Sequence, residues 1–283
     1  MILLTGASGF VGKYAVPALQ LDYNLTTISL QNTDISIIDF ASIKTVVHLA
    51  GMAHQMDKAD NGLYFNINHK LTLDFAMAAK KKGVAHFIYI SSTKVYGEHK
   101  GKIYFNEKSA CVPTDAYGES KWKAEQDLFE IADEQFIVSV IRPPLVYGHN
   151  VKGNLNNLLT LIHKFPFVPF GNIQNKRSMV YVGNLTALIS AVIKLKKGGV
   201  FLAGDSAPYS TSRLVNTMID KAKLNTKNIS IPIFLRDILR FLKPDMYVRL
   251  FEDFIIDNTE TNISLGFTPP FTFDEGVAEM VKK

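Results

Sequence analysis

Disulfides are the first thing this 283-residue sequence cannot make, because Cys111 is its only cysteine. A chain so poor in cysteine suits a reducing compartment, and a cytoplasmic location is expected. No apolar run approaches the roughly 20 residues that cross a bilayer, so no membrane partner is expected. The opening "MILLTGASGF" lacks the basic start and small-residue cleavage site of a secretory signal. Positive charge is in mild excess, at +5 with a pI near 9.0, but it is scattered. The one short run, "AKKKG" (79–83), reads as the last turn of a helix with Gly83 beyond it. A nucleic-acid partner is therefore not expected; a mild positive field suits a small anionic ligand. The seven histidines show no i,i+4 pairing with carboxylate support, so no metal site is expected.

What is present is alternation. Apolar strand-like stretches at 2–5, 25–30, 45–51, 85–92 and 136–143 are separated by helical patterns at 8–20, 63–83 and 117–132. That order predicts an α/β fold, a Rossmann-type doubly wound parallel sheet with a smaller C-terminal α/β substrate lobe. The boundaries expected are 1–150 for the dinucleotide-binding part, joined by segments near 178–206. The lobe takes 151–177 and 207–283. Pro17 is expected to kink or shorten the first helix. The link between the second and third strands is too short for a regular crossover helix.

The turn "TGASGFVG" (5–12) follows a strand and opens a helix. Gly6 permits the sharp turn, Gly9 close approach of backbone to a pyrophosphate, and Gly12 close helix–strand packing. The helix N-terminus then offers N–H groups and positive dipole to phosphates. At the end of the second strand, Gln31 and Asn32 supply neither the carboxylate that grips a ribose 2′-hydroxyl nor a cation for a 2′-phosphate. NAD is favoured, with NADP left open. Asp34 either faces the adenine or serves as a turn residue.

"YGESK" (117–121) sets Tyr117 and Lys121 one helical turn apart on one face. A free tyrosine, with pKa of about 10, is a poor base at neutral pH. An ammonium nearby favours the phenolate.

These pieces, with "HLAG" (48–51), "SSTKVYG" (91–97), "IRPPLVYG" (141–148) and "KRSMVYVGNL" (176–185), run in one order along the chain. In that order they resemble the extended short-chain dehydrogenase/reductases, the NAD-dependent epimerase/dehydratase group. "VFLAGDSAPYSTSRLV" (200–215) and "LGFTPPFTFDEGV" (265–277) resemble the same family's C-terminal lobe. The resemblance implies a catalytic set of Tyr117, Lys121 and Ser92, with Tyr117 moving the proton and Lys121 also holding the nicotinamide ribose. It implies cofactor contacts from Gly6, Ser8, Gly9, Phe10, Val11 and Gly12, from Gln31, Asp34 and Ile35, from Leu49, Ala50 and Gly51, and from Pro143. Substrate contacts are implied for Ser92, Thr93, Asn154, Arg177 and Tyr147, the last at the pocket mouth. Arg249 is a second candidate ligand for a diphosphate, with a surface role as the alternative. His48 is expected to pack at a strand end, Asn68 to tie loops together, and Trp122 to serve core or interface.

The implied activity is oxidoreduction at C4 of a UDP-sugar in surface polysaccharide synthesis. The local likeness around 142–185 favours a 4-ketoreductase for a UDP-4-keto-6-deoxy-N-acetylhexosamine, and the alternative is a UDP-sugar 4-epimerase with tightly held NAD. A non-catalytic dinucleotide sensor is the reading from another class. Family dehydratases carry an Asp-Glu pair where Thr93 and Lys94 stand, so dehydration is not expected. Relatives of this kind pair as homodimers through the helix bearing Tyr117 and the 63–83 helix.

Overall fold

The computed structural model describes residues 1–52, 61–97 and 104–282. Six parallel strands make the main sheet: β1 (Ile2–Thr5), β2 (Leu25–Ile28), β3 (Thr45–His48), β4 (His86–Ile90), β6 (Ile137–Arg142) and β10 (Gly199–Leu202). Their order across the sheet is β10-β6-β4-β3-β1-β2. β1, β3 and β4 are buried along their whole length, which is why they read as unbroken apolar runs without alternation. Helices cover both faces. Leu4, Val47, Ile88 and Ile141 pack against the helices Phe10–Gln20 and Val182–Leu195. On the other face, Val46, Phe87 and Val140 meet Phe75, Ala79, Ala124 and Leu128 from the helices 61–81 and Ala116–Glu130.

Strand order reverses at β1, which has β2 on one side and β3 on the other. A crevice therefore opens beyond the carboxyl ends of β1 and β3, the place where open α/β sheets bind ligands. Between β2 and β3 the chain carries only the 3₁₀ turn Ile35–Ile37, the short link that the sequence spacing required. The first helix runs on through Pro17 to Gln20, so it is not shortened there. Pro17 lies on the exposed face, where the carbonyl that loses its helical donor can be hydrated.

Shorter strands join the two halves of the chain. β5 (Tyr104–Phe105) pairs with β12 (Ile255–Ile256), β7 (Leu145–Tyr147) with β9 (Met179–Tyr181), and β8 (Phe167–Val168) with β11 (Lys227–Asn228). Around β5 and β12, Val95, Tyr96, Phe105, Leu202, Phe254 and Ile256 form a separate apolar cluster. Glu107 fastens the same joint by accepting hydrogen bonds from the backbone N–H (3.0 Å) and hydroxyl (2.6 Å) of Thr261.

Candidate functional site

The glycine turn is built as a cradle. Gly6 has φ +74°, and a Cβ added there would come within 2.7 Å of the backbone of Leu49 and Ala50, at the end of β3. A Cβ on Gly12 would lie 2.2 Å from the Gly6 carbonyl. The two strand ends touch directly, since Leu49 N–H donates to Thr5 O (3.3 Å) and Ala50 N–H to Thr5 Oγ1 (3.1 Å). Ser8 and Gly9 are exposed at the lip, and Phe10 and Val11 are half-buried behind it. Gly9 caps the helix Phe10–Gln20 without any side-chain hydrogen bond, so the opening N–H groups have no side-chain cap. A close-backed turn opening an uncapped helix fits a dinucleotide's pyrophosphate.

Gln31 is exposed just past β2. Asp34 caps the 3₁₀ turn beginning at Ile35, accepting the Ser36 N–H at 2.9 Å, and hydrogen bonds from the Ser36 backbone and side chain hold its carboxyl below the usual range. Of its two alternative roles, the turn role is the one visible in its hydrogen bonds.

Across the crevice stands the helix Ala116–Glu130. Asp115 starts it, accepting the Gly118 N–H at 2.7 Å, and its other oxygen pairs with Lys94 at 3.1 Å. Tyr117 is half-buried, hydrogen-bonded to Ser92, with the ring of Tyr64 edge-on at 5.8 Å. Lys121 is buried; its Nζ donates to the Ile90 carbonyl (3.0 Å) and lies 4.7 Å from the centre of the Tyr89 ring. A Cβ on Gly51 would sit 3.1 Å from that Nζ and 3.0 Å from Asn68 Oδ1. The structure thus brings Ser92, Tyr117, Lys121 and Gly51 to one corner of the sheet's carboxyl edge.

Burial sets the electrostatics of this corner. It pushes Tyr117 up to about 12, an effect that the Ser92 hydrogen bond only partly offsets and that Asp115 reinforces. It pulls Lys121 down to about 8, which still leaves an ammonium at neutral pH. The sequence-based expectation joined Lys121 to the positive nicotinamide ring of a bound cofactor; in the chain by itself desolvation dominates and Tyr117 is a neutral phenol at pH 7.

Asn68 ties the loop after β3 to this helix, as expected of it. Its Oδ1 accepts the Met52 N–H at 2.7 Å, and its Nδ2 donates to Met52 O (3.1 Å) and Ser120 Oγ (3.3 Å). It lies in a π-helical stretch, Phe65–Lys70, inside the helix 61–81. His48 is buried between Thr5 Oγ1 and Thr72 Oγ1, both at 3.0 Å, and is driven down to about 3, neutral and packed at its strand end. Among the described residues no three metal-ligating side chains gather; His54 and His99 lie outside them.

One substrate expectation needs correction. Tyr147 is fully buried, with its hydroxyl donating to Asp205 Oδ2 at 2.7 Å. Pairing of β7 with β9 turns its ring inward against Tyr181 and Phe273, away from any pocket mouth. Thr93 is buried as well, and its N–H donates to the carbonyl of Pro143 (3.0 Å), so its backbone braces two strand ends.

Arg177 donates from NH1 to the carbonyls of Val248 and Glu252, both at 3.2 Å. It thereby caps the helix Pro244–Phe251, whose last turn carries Arg249. A ladder of rings leads from there toward the corner that holds Ser92 and Tyr117: Arg177 lies over Phe254 (5.6 Å), Phe254 meets Phe105 (5.5 Å), and Phe105 stacks on Tyr96 (4.7 Å). Asn154 is the exposed first residue of the helix Asn154–Lys164.

Several partners escaped the sequence reading. Glu125 and Arg142 form a buried pair, with Arg142 also donating to Tyr96 (2.9 Å) and Ser91 to Glu125. Asp115 had a legible signal, a helix-capping residue just ahead of the apolar pattern. Tyr64 had none.

A family model for the NAD dependent epimerase/dehydratase family matches residues 2–204. The UDP-glucose 4-epimerase of Vibrio cholerae is 35% identical over 305 residues, covering 97% of this chain and 92% of that protein. This chain belongs to the NAD-dependent epimerase/dehydratase family. A second relative is the N-acetyl-alpha-D-glucosaminyl-diphospho-ditrans,octacis-undecaprenol 4-epimerase of Escherichia coli O157:H7, 28% identical over 98% of this chain and 92% of its own length. Among solved structures, the UDP-glucuronic acid 4-epimerase from Bacillus cereus in complex with NAD superposes with TM-score 0.78 at 19% identity, over 99% of this chain and 97% of that one. Membership makes this an NAD-dependent enzyme of the nucleotide-sugar epimerase/dehydratase type.

Proposed function

We propose that this protein is a UDP-sugar 4-epimerase that keeps NAD bound through the catalytic cycle. The observation that carries the proposal is the end-to-end likeness to a UDP-glucose 4-epimerase. It moves the reading from the net 4-ketoreductase favoured by a short stretch of sequence to the alternative. The cradle from Gly6 to Gly12, with Leu49, Ala50, Gly51 and Lys121, would hold the cofactor. NAD, when bound, supplies a reversible hydride acceptor at C4 of the sugar.

The chain's own work is proton movement and positioning. Tyr117 takes the proton from the C4 hydroxyl as that carbon is oxidised and returns it when the carbon is reduced. Ser92, already hydrogen-bonded to Tyr117, holds the same sugar oxygen. A phenol at about 12 is a weak base, so the positive charge of the oxidised nicotinamide, together with Lys121, is what would bring it into range. Arg177 and Arg249 would grip the diphosphate, for which the guanidinium fork is suited. Position 94 holds a lysine paired with Asp115, so no carboxylate stands there for dehydration.

A homodimer through the helices 61–81 and Ala116–Glu130 belongs to this reading. Leu63, Met77 and Phe129 are exposed upon them.

The test is to add UDP-glucose or UDP-galactose to purified protein. Interconversion with no net change in nicotinamide absorbance is expected. Stoichiometric consumption of added NADH or NADPH with a 4-keto-sugar would reinstate the reductase.

One observation favours a variant of this reading in which the sugar diphosphate is carried on a lipid, as in the name of the Escherichia coli relative. An apolar helix face stands exposed beside the arginines.

A further inference from the structure

The helix Ile233–Leu242, "IFLRDILRFL", is turned the wrong way out for a globular protein. Phe234, Ile238, Phe241 and Leu242 fall at i, i+4, i+7 and i+8, one continuous stripe, and all are exposed. Phe241 is 86% exposed and Leu242 64%, with Met246 beside them on the next helix. The charged side chains do the packing instead. Arg236 lies 5.8 Å over Tyr247 and 5.2 Å over Phe251, and it donates to the Tyr247 hydroxyl at 3.1 Å. Arg240 lies 5.5 Å over Tyr247. Hydrocarbon therefore faces out, and the two arginines lie on the opposite side of the helix, against Tyr247 and Phe251.

We infer that this face docks on the surface of an anionic lipid bilayer. Three features select that occupant. An amphipathic helix with phenylalanine and leucine on one side and arginine on the other is the form that lies in a membrane interface. Arg236, Arg240 and Lys243, exposed on the far side of the helix, outnumber the exposed Asp237 and leave the segment with a net positive charge about one helix diameter from the stripe, within a Debye length of an anionic surface. The stripe is also narrow: five apolar side chains fall well short of the roughly 20–30 residues a stable protein interface uses on each side. The expectation of no membrane partner rested on the lack of a spanning run, which bears on crossing a bilayer and not on lying against one. Among the described residues no helix is long and apolar enough to cross.

The position of the helix gives the docking a purpose. Arg177 holds the end of the adjoining helix through Val248 and Glu252, and Arg249 is part of that helix. A bilayer seated on the stripe brings a lipid-borne sugar diphosphate to those two arginines. This choice of substrate class rests on the epimerase reading; the docking itself does not.

The experiment is flotation of the full-length, NAD-loaded protein with vesicles of phosphatidylethanolamine and phosphatidylglycerol. Wild type is expected to float with the vesicles, and Phe234→Asp/Phe241→Asp to lose at least about tenfold in bound fraction. Melting temperature and turnover of a UDP-sugar in solution should stay unchanged in that variant. Failure of wild type to float, or equal flotation of the variant, overturns the docking. So does a wild-type dimer that the variant converts to monomer, since a second copy then covers the stripe. Flotation with no turnover of either a UDP-sugar or a polyprenyl-diphosphate-linked sugar would sink the epimerase reading and leave the docking standing; turnover without flotation would do the reverse.

Discussion

Two helices of this molecule invert each other's chemistry. Ala116–Glu130 hides polar groups: Ser120, Lys121 and Glu125 are buried, each with a named partner. Ile233–Leu242 shows hydrocarbon to the outside while its arginines stack on aromatic rings. Both run against the ordinary rule of apolar inside and polar outside. A buried lysine beside a tyrosine is costly unless something is done with it, and an exposed apolar stripe is costly unless something covers it. The first exception points to chemistry within the fold and the second to contact beyond it.

The sharpest way to break this contrast is at Tyr117. Tyr117→Phe removes the hydroxyl proposed to carry the proton and leaves the cradle intact, so kcat should fall by roughly 10²–10⁴-fold with NAD still bound. Turnover and cofactor content of the purified variant are the measurements; preserved turnover would reduce the buried polar face to packing.

Next is the pair behind it. Arg142→Met strands Glu125 in the interior and should cost about 3–5 kcal/mol of stability, read by denaturant unfolding. A cost near zero would mean that the helix tolerates an unpaired charge.

Acid comes third. Burial drives His48 down to about 3 and His86 to about 4, below the ordinary histidine value near 6.5. Between pH 6.5 and about 4 the unfolded chain binds protons that the native state refuses, so stability falls as pH falls. At pH 5 each histidine should contribute about 2 kcal/mol of destabilisation relative to neutral pH. His86→Asn should flatten the slope of unfolding free energy against pH by about half, and an unchanged slope would contradict it.

The smallest effect is expected on the outer helix. Phe241→Asp should change stability by no more than about 0.5 kcal/mol, because the side chain has little native packing to lose. A loss of several kcal/mol would mean that the stripe is covered in the protein as purified.

Much of the first half was readable from residue order. β1, β3 and β4 are buried on both sides, so their apolar runs carry a strong signal, and the glycine spacing is dictated by close backbone contact. The missing crossover helix could be counted from chain length. Pro17 does not shorten its helix, because its effect depends on which face it occupies, something a propensity cannot tell. Tyr147 misled for a similar reason: its direction is set by pairing of β7 with β9, a partnership between residues far apart. The stretch "VGNL" at 182–185 also needed the fold to explain it. A Cβ at Gly183 would strike the Tyr181 ring at 2.4 Å, and Asp205 reaches across to take the Tyr181 N–H (3.0 Å) and the Asn184 amide (2.7 Å). A carboxylate is thus supplied at that helix start from another segment of chain.

The joint between β5 and β12 carries a consequence for synthesis on the ribosome. Residues 104–105 wait for residues 255–256, so the cover that Phe254 and Ile256 give to Tyr96 and Phe105 comes only when a segment about 150 positions further along the chain has been made. Arrival of that distant segment, and not of the glycine-rich start, is the step that closes this cluster.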